Sequence, residues 1–539
     1  ESFGVDKFVE LCKERVRKFA DVISNQSIRL GYWMDWDNSY HTMDDENNYT
    51  IWHFLKICHS RGWLYEGTDV MPWCPRCGTG LSEHEIVTEG YKQIVHPGLY
   101  VKFPLIDGSQ LKSSDKQVNQ STFKESLLVW TTTPWTLTSN IAAAVHPGLE
   151  YVKVKQGDDM LYLLKSRLSE LVGEYEIVEE INGKDLVGLQ YTGPFDELSV
   201  QNGLSHKVIE WKDVSESEGT GIVHIAPGAG KEDFALSKEL DLPVIAPLDE
   251  LGYFVEGFDW LTGMRVFDVN KHIYGNLREK GILYNLESYS HRYPVCWRCD
   301  TQLVFRLVDE WFISMEELRA QIAEVVKKIR WIPEFGLQRE LDWLHNMDDW
   351  MISKKRYWGL ALPIYKCTCG NFDVIGSKDE LRERSLEGLQ EIENHSPHRP
   401  WIDAIQISCS SCNSTVSRIP DVGNPWLDAG IVPFSTLGYL KDPDHWKKWF
   451  PAQWISESFP GQFRNWFYSL LTMSTVLESS EPCQTIFSYA LMRDSSGEEM
   501  HKSKGNAIWF EDAADKMGVD AMRWLCARQN PSANLAFGY

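Results

Sequence analysis

The sequence predicts an α/β protein interrupted by a large, mostly β insertion. Three observations predict it. Apolar residues recur at helical spacing near the start, in DKFVELCKERVRKFADVI and again in YTIWHFLKICHSRGWLY. Between residues 93 and 290 the texture changes to short β-rich runs separated by turn signals. Cysteine pairs flank that stretch, Cys74/Cys77 before it and Cys296/Cys299 after it. If these pairs share a metal, the chain leaves one module, folds another and returns.

The bulk numbers fit this organisation. At 539 residues the chain is too long for a single core, so two to four domains are expected. Hydrophobic residues at 43% and charged residues at 24% are ordinary for a globular protein. The 23 Trp point either to stacked planar surfaces or to Trp-rich cores. No window approaches the roughly 18 consecutive apolar residues of a membrane span, and no N-terminal signal pattern is present. A net charge of -23 argues against nonspecific nucleic-acid binding as the main task, but leaves room for local basic patches. The chain opens at Glu1 directly in an amphipathic helix, which reads as a piece of a longer protein.

Taken in order, residues 1–92 form a helical part that ends in the first Cys pair, with the turn-rich, aromatic and acidic connector GYWMDWDNSYHTMDDEN between its two helices. Residues 93–290 form the insertion, with strands in LYVKFPL, SLLVWTTT, YVKVKQG, DMLYLL and TGIVHIA and turns at Asp107-Gly108 and Gly157-Asp158. Residues 291–365 bring back the second Cys pair and continue as a helical connector. Residues 366–415 are a compact excursion closed by Cys367/Cys369 and Cys409/Cys412. In residues 416–539, WISESFPGQFRNWFYSLL and QTIFSYALM alternate strand-like and helix-like patterns, which suits a parallel sheet. DAADKMGVDAMRWLCARQ reads as one closing helix.

Eight of the 12 Cys fall in the four close pairs. A Cys-x-x-Cys turn places two thiolates on one tight bend, half of a tetrahedral zinc site. Size and the lack of an export signal favour metal over disulfides. Two structural zinc sites are expected, Cys74, Cys77, Cys296 and Cys299 in one, Cys367, Cys369, Cys409 and Cys412 in the other. Four thiolates leave no open position for catalysis. Cys12, Cys58, Cys483 and Cys526 are expected to be core thiols.

Three further stretches carry chemistry. LLVWTTTPWTLTSN places Thr131, Thr132 and Thr133 at the end of a strand stopped by Pro134. Their hydroxyls can bond a ligand or a water, or reflect only the β propensity of Thr. GTGIVHIAPGAGKEDF carries His224 on a strand that runs into a Pro/Gly loop and an acidic helix start. Phosphate-loop spacing fails there, because Ile225 and Glu232 stand where Gly and a hydroxyl residue belong. A carboxylate at the loop exit suits an ammonium ligand, or simply caps a helix. EEMHKSKGN gathers Lys502, Ser503 and Lys504 before a Gly, a run able to hold phosphates.

In this order the motifs resemble a class I aminoacyl-tRNA synthetase over essentially the whole chain, most closely the isoleucine-specific branch. WTTTPWTLTSN and GTGIVHIAPGAGKEDF are similar to its two editing-domain signatures. Valyl and leucyl relatives would carry Arg where Thr133 stands. NPWLDAG and ESFPGQFRNWF resemble its amino-acid-pocket segments, and MHKSKGN aligns with the mobile KMSKS loop. Glu499 and His501 depart from the first Lys and first Ser of that loop, and Gly461 stands where the family carries Asp.

The resemblance implies an incomplete Rossmann-type catalytic domain carrying a complete editing domain and two zinc knuckles. The HIGH motif is expected upstream of Glu1 and an anticodon-binding region beyond Tyr539. The implied reaction joins isoleucine to tRNA-Ile through an adenylate, with ATP and Mg as substrate, and the second site hydrolyses valyl-tRNA-Ile. Lys502, Ser503 and Lys504 would hold ATP. Trp426, Gln462 and Trp466 would shape the isoleucine pocket. Asp233 would bind the ammonium of misattached valine, Thr131, Thr132 and Thr133 would line that pocket and order the water, and His224 would restrict it or be a buried structural histidine. A cytoplasmic monomer retaining editing but not full aminoacylation is expected. A stand-alone aminoacyl-tRNA deacylase and a noncatalytic zinc-containing tRNA-binding protein are the competing readings.

Overall fold

The structure, a computed structural model, describes residues 3–81, 86, 90–106, 124–393, 395–500 and 505–539. The chain divides into two compact units, Glu1–Gly67 with Glu310–Tyr539, and Thr68–Asp309. It crosses the division along the strand Leu64–Cys74 and returns along Val304–Ile313. The Thr68 hydroxyl donates to Asp309 Oδ1 at 2.6 Å, so the second unit begins and ends at one point.

The discontinuous unit is built on a three-stranded parallel sheet in the order Arg330–Ile332, Thr485–Tyr489, Ile455–Ser458. Parallel neighbours need a crossover. Here the helix Trp466–Glu478 connects the last two. That helix is apolar nearly all round, WFYSLLTMSTVLE, and is buried from Phe467 to Val476. A helix with no polar face belongs inside a core. It packs among Trp331, Ile486 and the helix Asp45–Ser60, whose Ile51, Phe54, Leu55 and Cys58 are fully buried. The parallel sheet expected from the alternating texture is therefore present.

Three local expectations need correcting. The closing segment is two helices, Phe510–Met517 and Val519–Arg528. Gly518 separates them at φ +80°, a conformation that an uninterrupted helix excludes. Cys526 is exposed, not a core thiol, whereas Cys58 and Cys483 are buried as expected. The connector expected to be helical after residue 300 opens with the strand Val304–Ile313 before its helices Leu318–Val326 and Phe335–Asn346.

Among the described residues a larger and a smaller sheet build most of the second unit. The larger runs Leu283–Pro294, Tyr91–Pro104, Lys124–Thr131, Asp159–Leu164, Glu150–Gln156, Glu176–Asn182. The smaller runs Ile222–Ile225, Ala142–Val145, His206–Glu210, Gln190–Tyr191. Side chains alternate along a strand. Leu127 and Val129 accordingly enter the core shared with the smaller sheet, while Leu128 and Trp130 enter a second core on the opposite face. Covering both faces explains why this strand reads as an apolar run. Gly157-Asp158 makes the expected two-residue turn between paired Gln156 and Asp159, with Gly157 at φ +60°. Asp107-Gly108 lies outside the described residues. Among the described residues no helix is long and apolar enough to cross a membrane.

Candidate functional site

The strand Lys124–Thr131 delivers Thr131 to its end, and Pro134 then starts a short 3₁₀ turn, Pro134–Ser139, that is buried throughout. Buried backbone outside a sheet must find its partners elsewhere. Gln201 Nε2 donates to Thr138 O at 2.9 Å and Asn140 O at 3.2 Å, and Asn140 Nδ2 donates to Ala142 O at 2.9 Å. The threonine-rich loop is thus held from within.

On this loop the hydroxyls form a chain. Thr131 Oγ1 lies 3.3 Å from Thr133 Oγ1, Thr133 Oγ1 lies 3.2 Å from Thr136 Oγ1, and Thr136 Oγ1 lies 2.9 Å from His224 Nε2. Thr133 N donates to Thr131 Oγ1 at 3.1 Å, and the Thr136 hydroxyl donates to Thr133 O at 2.7 Å. Thr132 is half-buried and is not a link of this chain. His224 comes from the strand Ile222–Ile225 and is 8% exposed. Burial pushes its imidazole down to about 4, so the ring is neutral at pH 7. Its Nδ1 has no partner among the described residues.

Two residues further on, Ala226 N donates to Asp233 Oδ2 at 2.7 Å. Asp233 stands in the first turn of the helix Lys231–Leu240, where the helix dipole favours a negative charge. Burial nevertheless dominates and pushes its carboxyl up to about 6, against the lowering effect of the amide. The protein's own carboxylate therefore occupies the place where a phosphate loop would hold an anion. Gly228 lets the intervening loop pack tightly, since a Cβ there would lie 1.9 Å from Ile245 O. The structure thus joins Thr131, Thr133 and His224 through Thr136, and ties Asp233 to the exit of the His224 strand. Neutral acceptors, hydroxyls and one carboxylate in a buried setting suit a ligand that carries an ammonium.

The discontinuous unit brings together Trp426, Gln462 and Trp466. Trp466 N donates to Gln462 Oε1 at 3.2 Å, and its Nε1 donates to Ala429 O at 2.9 Å, in the helix Pro425–Gly430 that carries Trp426. Asn424 caps that helix through Trp426 N at 3.1 Å. All three predicted side chains are half-buried. Beside them Asn47 Nδ2 donates to Asp428 Oδ1 at 3.0 Å and Asn47 Oδ1 accepts from Ser435 at 2.9 Å. Burial pushes the Asp428 carboxyl up to about 7. Sequence reasoning missed Asn47, whose signal was a polar residue on the buried stripe of an amphipathic helix. Lys502, Ser503 and Lys504 lie outside the described residues. Next to them, Asn506 Nδ2 donates to Asp494 Oδ2 at 2.8 Å and to Glu499 O at 3.0 Å.

Each predicted cysteine quartet converges, with sulfurs within 4.8 Å of one another. Specific pairs lie at 3.5 Å (Cys74 and Cys299), 3.6 Å (Cys77 and Cys299), 3.5 Å (Cys367 and Cys412) and 3.8 Å (Cys369 and Cys409). Thiolates about 2.3 Å from a tetrahedral zinc stand roughly 3.8 Å apart. The knuckle turns need left-handed residues, and Gly78, Asp300, Gly370 and Asn413 supply them at φ +60°, +58°, +90° and +60°. Both donor sets fit a structural zinc.

The sequence profile of the family described as tRNA synthetases class I (I, L, M and V) matches residues 1–537. The isoleucine–tRNA ligase of Methanopyrus kandleri is 38% identical over 562 residues, covering 98% of this chain and 51% of that protein. That of Clostridium tetani is 38% identical over 527 residues, covering 97% and 49%. That of Thermus thermophilus is 37% identical over 544 residues, covering 100% and 50%. The chain spans about half the length of these curated relatives.

Two predictions follow from the geometry. A Cβ on Gly430 would lie 2.8 Å from the Ser469 carbonyl carbon, so Gly430→Ala should push apart the two helices beneath Trp426. The expected loss is about 1–3 kcal/mol in a denaturant titration, and an unchanged midpoint would contradict the close approach. The raised Asp233 carboxyl makes its ionisation oppose folding. That cost is absent below the unfolded-chain value, grows as pH rises, and is complete above about 6. Asp233→Asn should therefore raise the melting temperature more at pH 7 than at pH 5. A gain equal at both would contradict the assigned burial.

Proposed function

This chain belongs to the class I tRNA synthetases of the I, L, M and V group, and from that premise we propose that it is part of an isoleucine–tRNA ligase. The whole protein activates isoleucine with ATP and Mg, transfers it to tRNA-Ile, and hydrolyses valyl-tRNA-Ile made in error. Residues 93–290 are the editing domain, residues 416–539 the second half of the Rossmann fold, and the two knuckles are zinc sites. It works in the cytoplasm as a monomer.

The observation that carries the editing assignment is the joining of Thr131, Thr133 and His224 in one hydrogen-bonded chain, with Asp233 tied to Ala226. One methylene in an apolar pocket is worth only about 1–3 kcal/mol, and isoleucine against valine is the standard illustration of that limit. A second, hydrolytic site supplies the remaining discrimination. There the Asp233 carboxylate pairs with the α-ammonium of valine, and the threonine hydroxyls position a water against the ester carbonyl. Water adds to that carbonyl and the terminal ribose oxygen leaves with a proton. The neighbouring ribose hydroxyl of the tRNA assists this step.

On the synthetic side Trp426, Gln462 and Trp466 enclose isoleucine, and Lys502 with Ser503 and Lys504 neutralises the pyrophosphate of ATP. Activation depends on holding the carboxylate in line with the α-phosphate and on charge stabilisation, not on covalent protein chemistry.

The deciding assay is deacylation of valyl-tRNA-Ile and isoleucyl-tRNA-Ile by this chain, wild type beside Asp233→Ala. Selective loss of valine that vanishes in the variant is expected. No hydrolysis of either, by a folded chain shown to bind the acceptor end, would sink the editing assignment. Elemental analysis should find two zinc ions per chain, and Cys77→Ser should remove one of them. Full zinc retention in that variant would contradict the first four-thiolate site.

A further inference from the structure

The proton positions along the threonine–histidine chain can be deduced from hydrogen-bond capacity alone. A hydroxyl has one proton to donate and two lone pairs to accept with. A backbone carbonyl only accepts. The 2.7 Å contact from Thr136 Oγ1 to Thr133 O therefore consumes the single Thr136 proton. Thr136 must then accept in both of its other contacts. One is the 3.2 Å contact with Thr133 Oγ1, so Thr133 donates there. Thr133 has now spent its own proton, so Thr131 donates across the 3.3 Å contact between them. The other is the 2.9 Å contact with His224 Nε2, which must therefore carry a proton. The step that fixes His224 rests on the 2.7 Å and 2.9 Å contacts alone.

We infer that Thr136 is a positioning residue that holds His224 as the Nε2–H tautomer, leaving Nδ1 as a bare acceptor for an N–H or O–H of the ligand. This rests on the editing reading for what the ligand is, but not for the tautomer. Three observations support it together. His224 is buried, its ring is neutral at pH 7, and Nδ1 is the ring atom without a partner among the described residues. A buried acceptor without a partner costs stability, which is reasonable for a group whose partner arrives with the ligand. The groups facing His224 along the chain are uncharged, and the Asp233 carboxylate at the exit of its strand is engaged by Ala226 N.

The consequence extends to the other hydroxyls of the chain. With the protons of Thr131, Thr133 and Thr136 committed along the chain, these three hydroxyls offer a ligand lone pairs, beside the Asp233 carboxylate. Its ligand class is a donor-rich group, and an ammonium fits it best. A water held there would donate to the protein and keep its own lone pair for the substrate.

The test reads the tautomer directly. Nitrogen-15 NMR of the histidine-labelled chain reports which ring nitrogen carries the proton, and His224→Gln assigns the signal. The expected spectrum shows His224 protonated at Nε2 alone, unchanged from pH 5 to pH 8. Thr136→Val keeps the shape but removes the acceptor, and should give a mixture of both tautomers. Thr136→Ser should restore the single form. In the deacylation assay, Thr136→Val should lower kcat roughly tenfold, the worth of about one hydrogen bond, with KM little changed and the Ser variant rescued. A wild-type ring protonated at Nδ1, or a Val variant purely Nε2–H, would overturn the inference. The spectrum needs no substrate, so the expected tautomer without any hydrolysis would count against the editing reading alone.

Discussion

A long insertion is tolerable only if its two ends lie together. That constraint underlies everything else here, and the hydrogen bond between Thr68 and Asp309 shows it met. Loop-closure entropy grows slowly, by about 0.6 kcal/mol for each doubling of length, so the size of the excursion matters less than the geometry of its ends. With the ends joined, each unit can build its own core. Leu99, Val129 and Val208 fill one, and Ile51, Trp331 and Phe467 fill the other. Closure also makes neighbours of Cys74 and Cys299, which are remote in sequence, and four thiolates then need only short turns to meet.

The threonine loop combines a paired backbone with two groups held against their preference. Gln201 and Asn140 pair the backbone of a buried loop. Against that care, Asp233 is held where burial resists its charge, and His224 keeps one ring nitrogen unpartnered. Both departures sit at the proposed editing site, where a ligand would repay them. Elsewhere in the same unit charged groups are paired, as Lys153 is with Glu125 and Lys102 with Asp159.

Much of this was legible in the chain. Cysteine spacing announced both quartets, because a knuckle is a local turn and leaves a local signature. The parallel sheet was legible in the alternation of WISES and QTIFSY with an apolar helix between them. Ala142–Val145 was not, because alanine has little strand preference. It is a central strand only because its neighbours on both sides bury it. Thr136 stood within the quoted threonine stretch but was passed over, since its role depends on a 3₁₀ turn that brings its hydroxyl back to Thr133 O. Gln201 carries no motif at all. The split at Gly518 was visible as a glycine, yet helical periodicity on both sides masked it.

The inward commitment of the hydroxyl protons bears on how the pocket would empty. Lone pairs and a carboxylate are indifferent to a neutral ester carbonyl but repel an anion. Cleaving an aminoacyl ester turns the first into the second. The product would be an amino acid whose new carboxylate faces three chain hydroxyls with no proton left for it, in surroundings too buried to screen the repulsion. The grip on the substrate would thus be released by the reaction itself, with no part of the protein having to move.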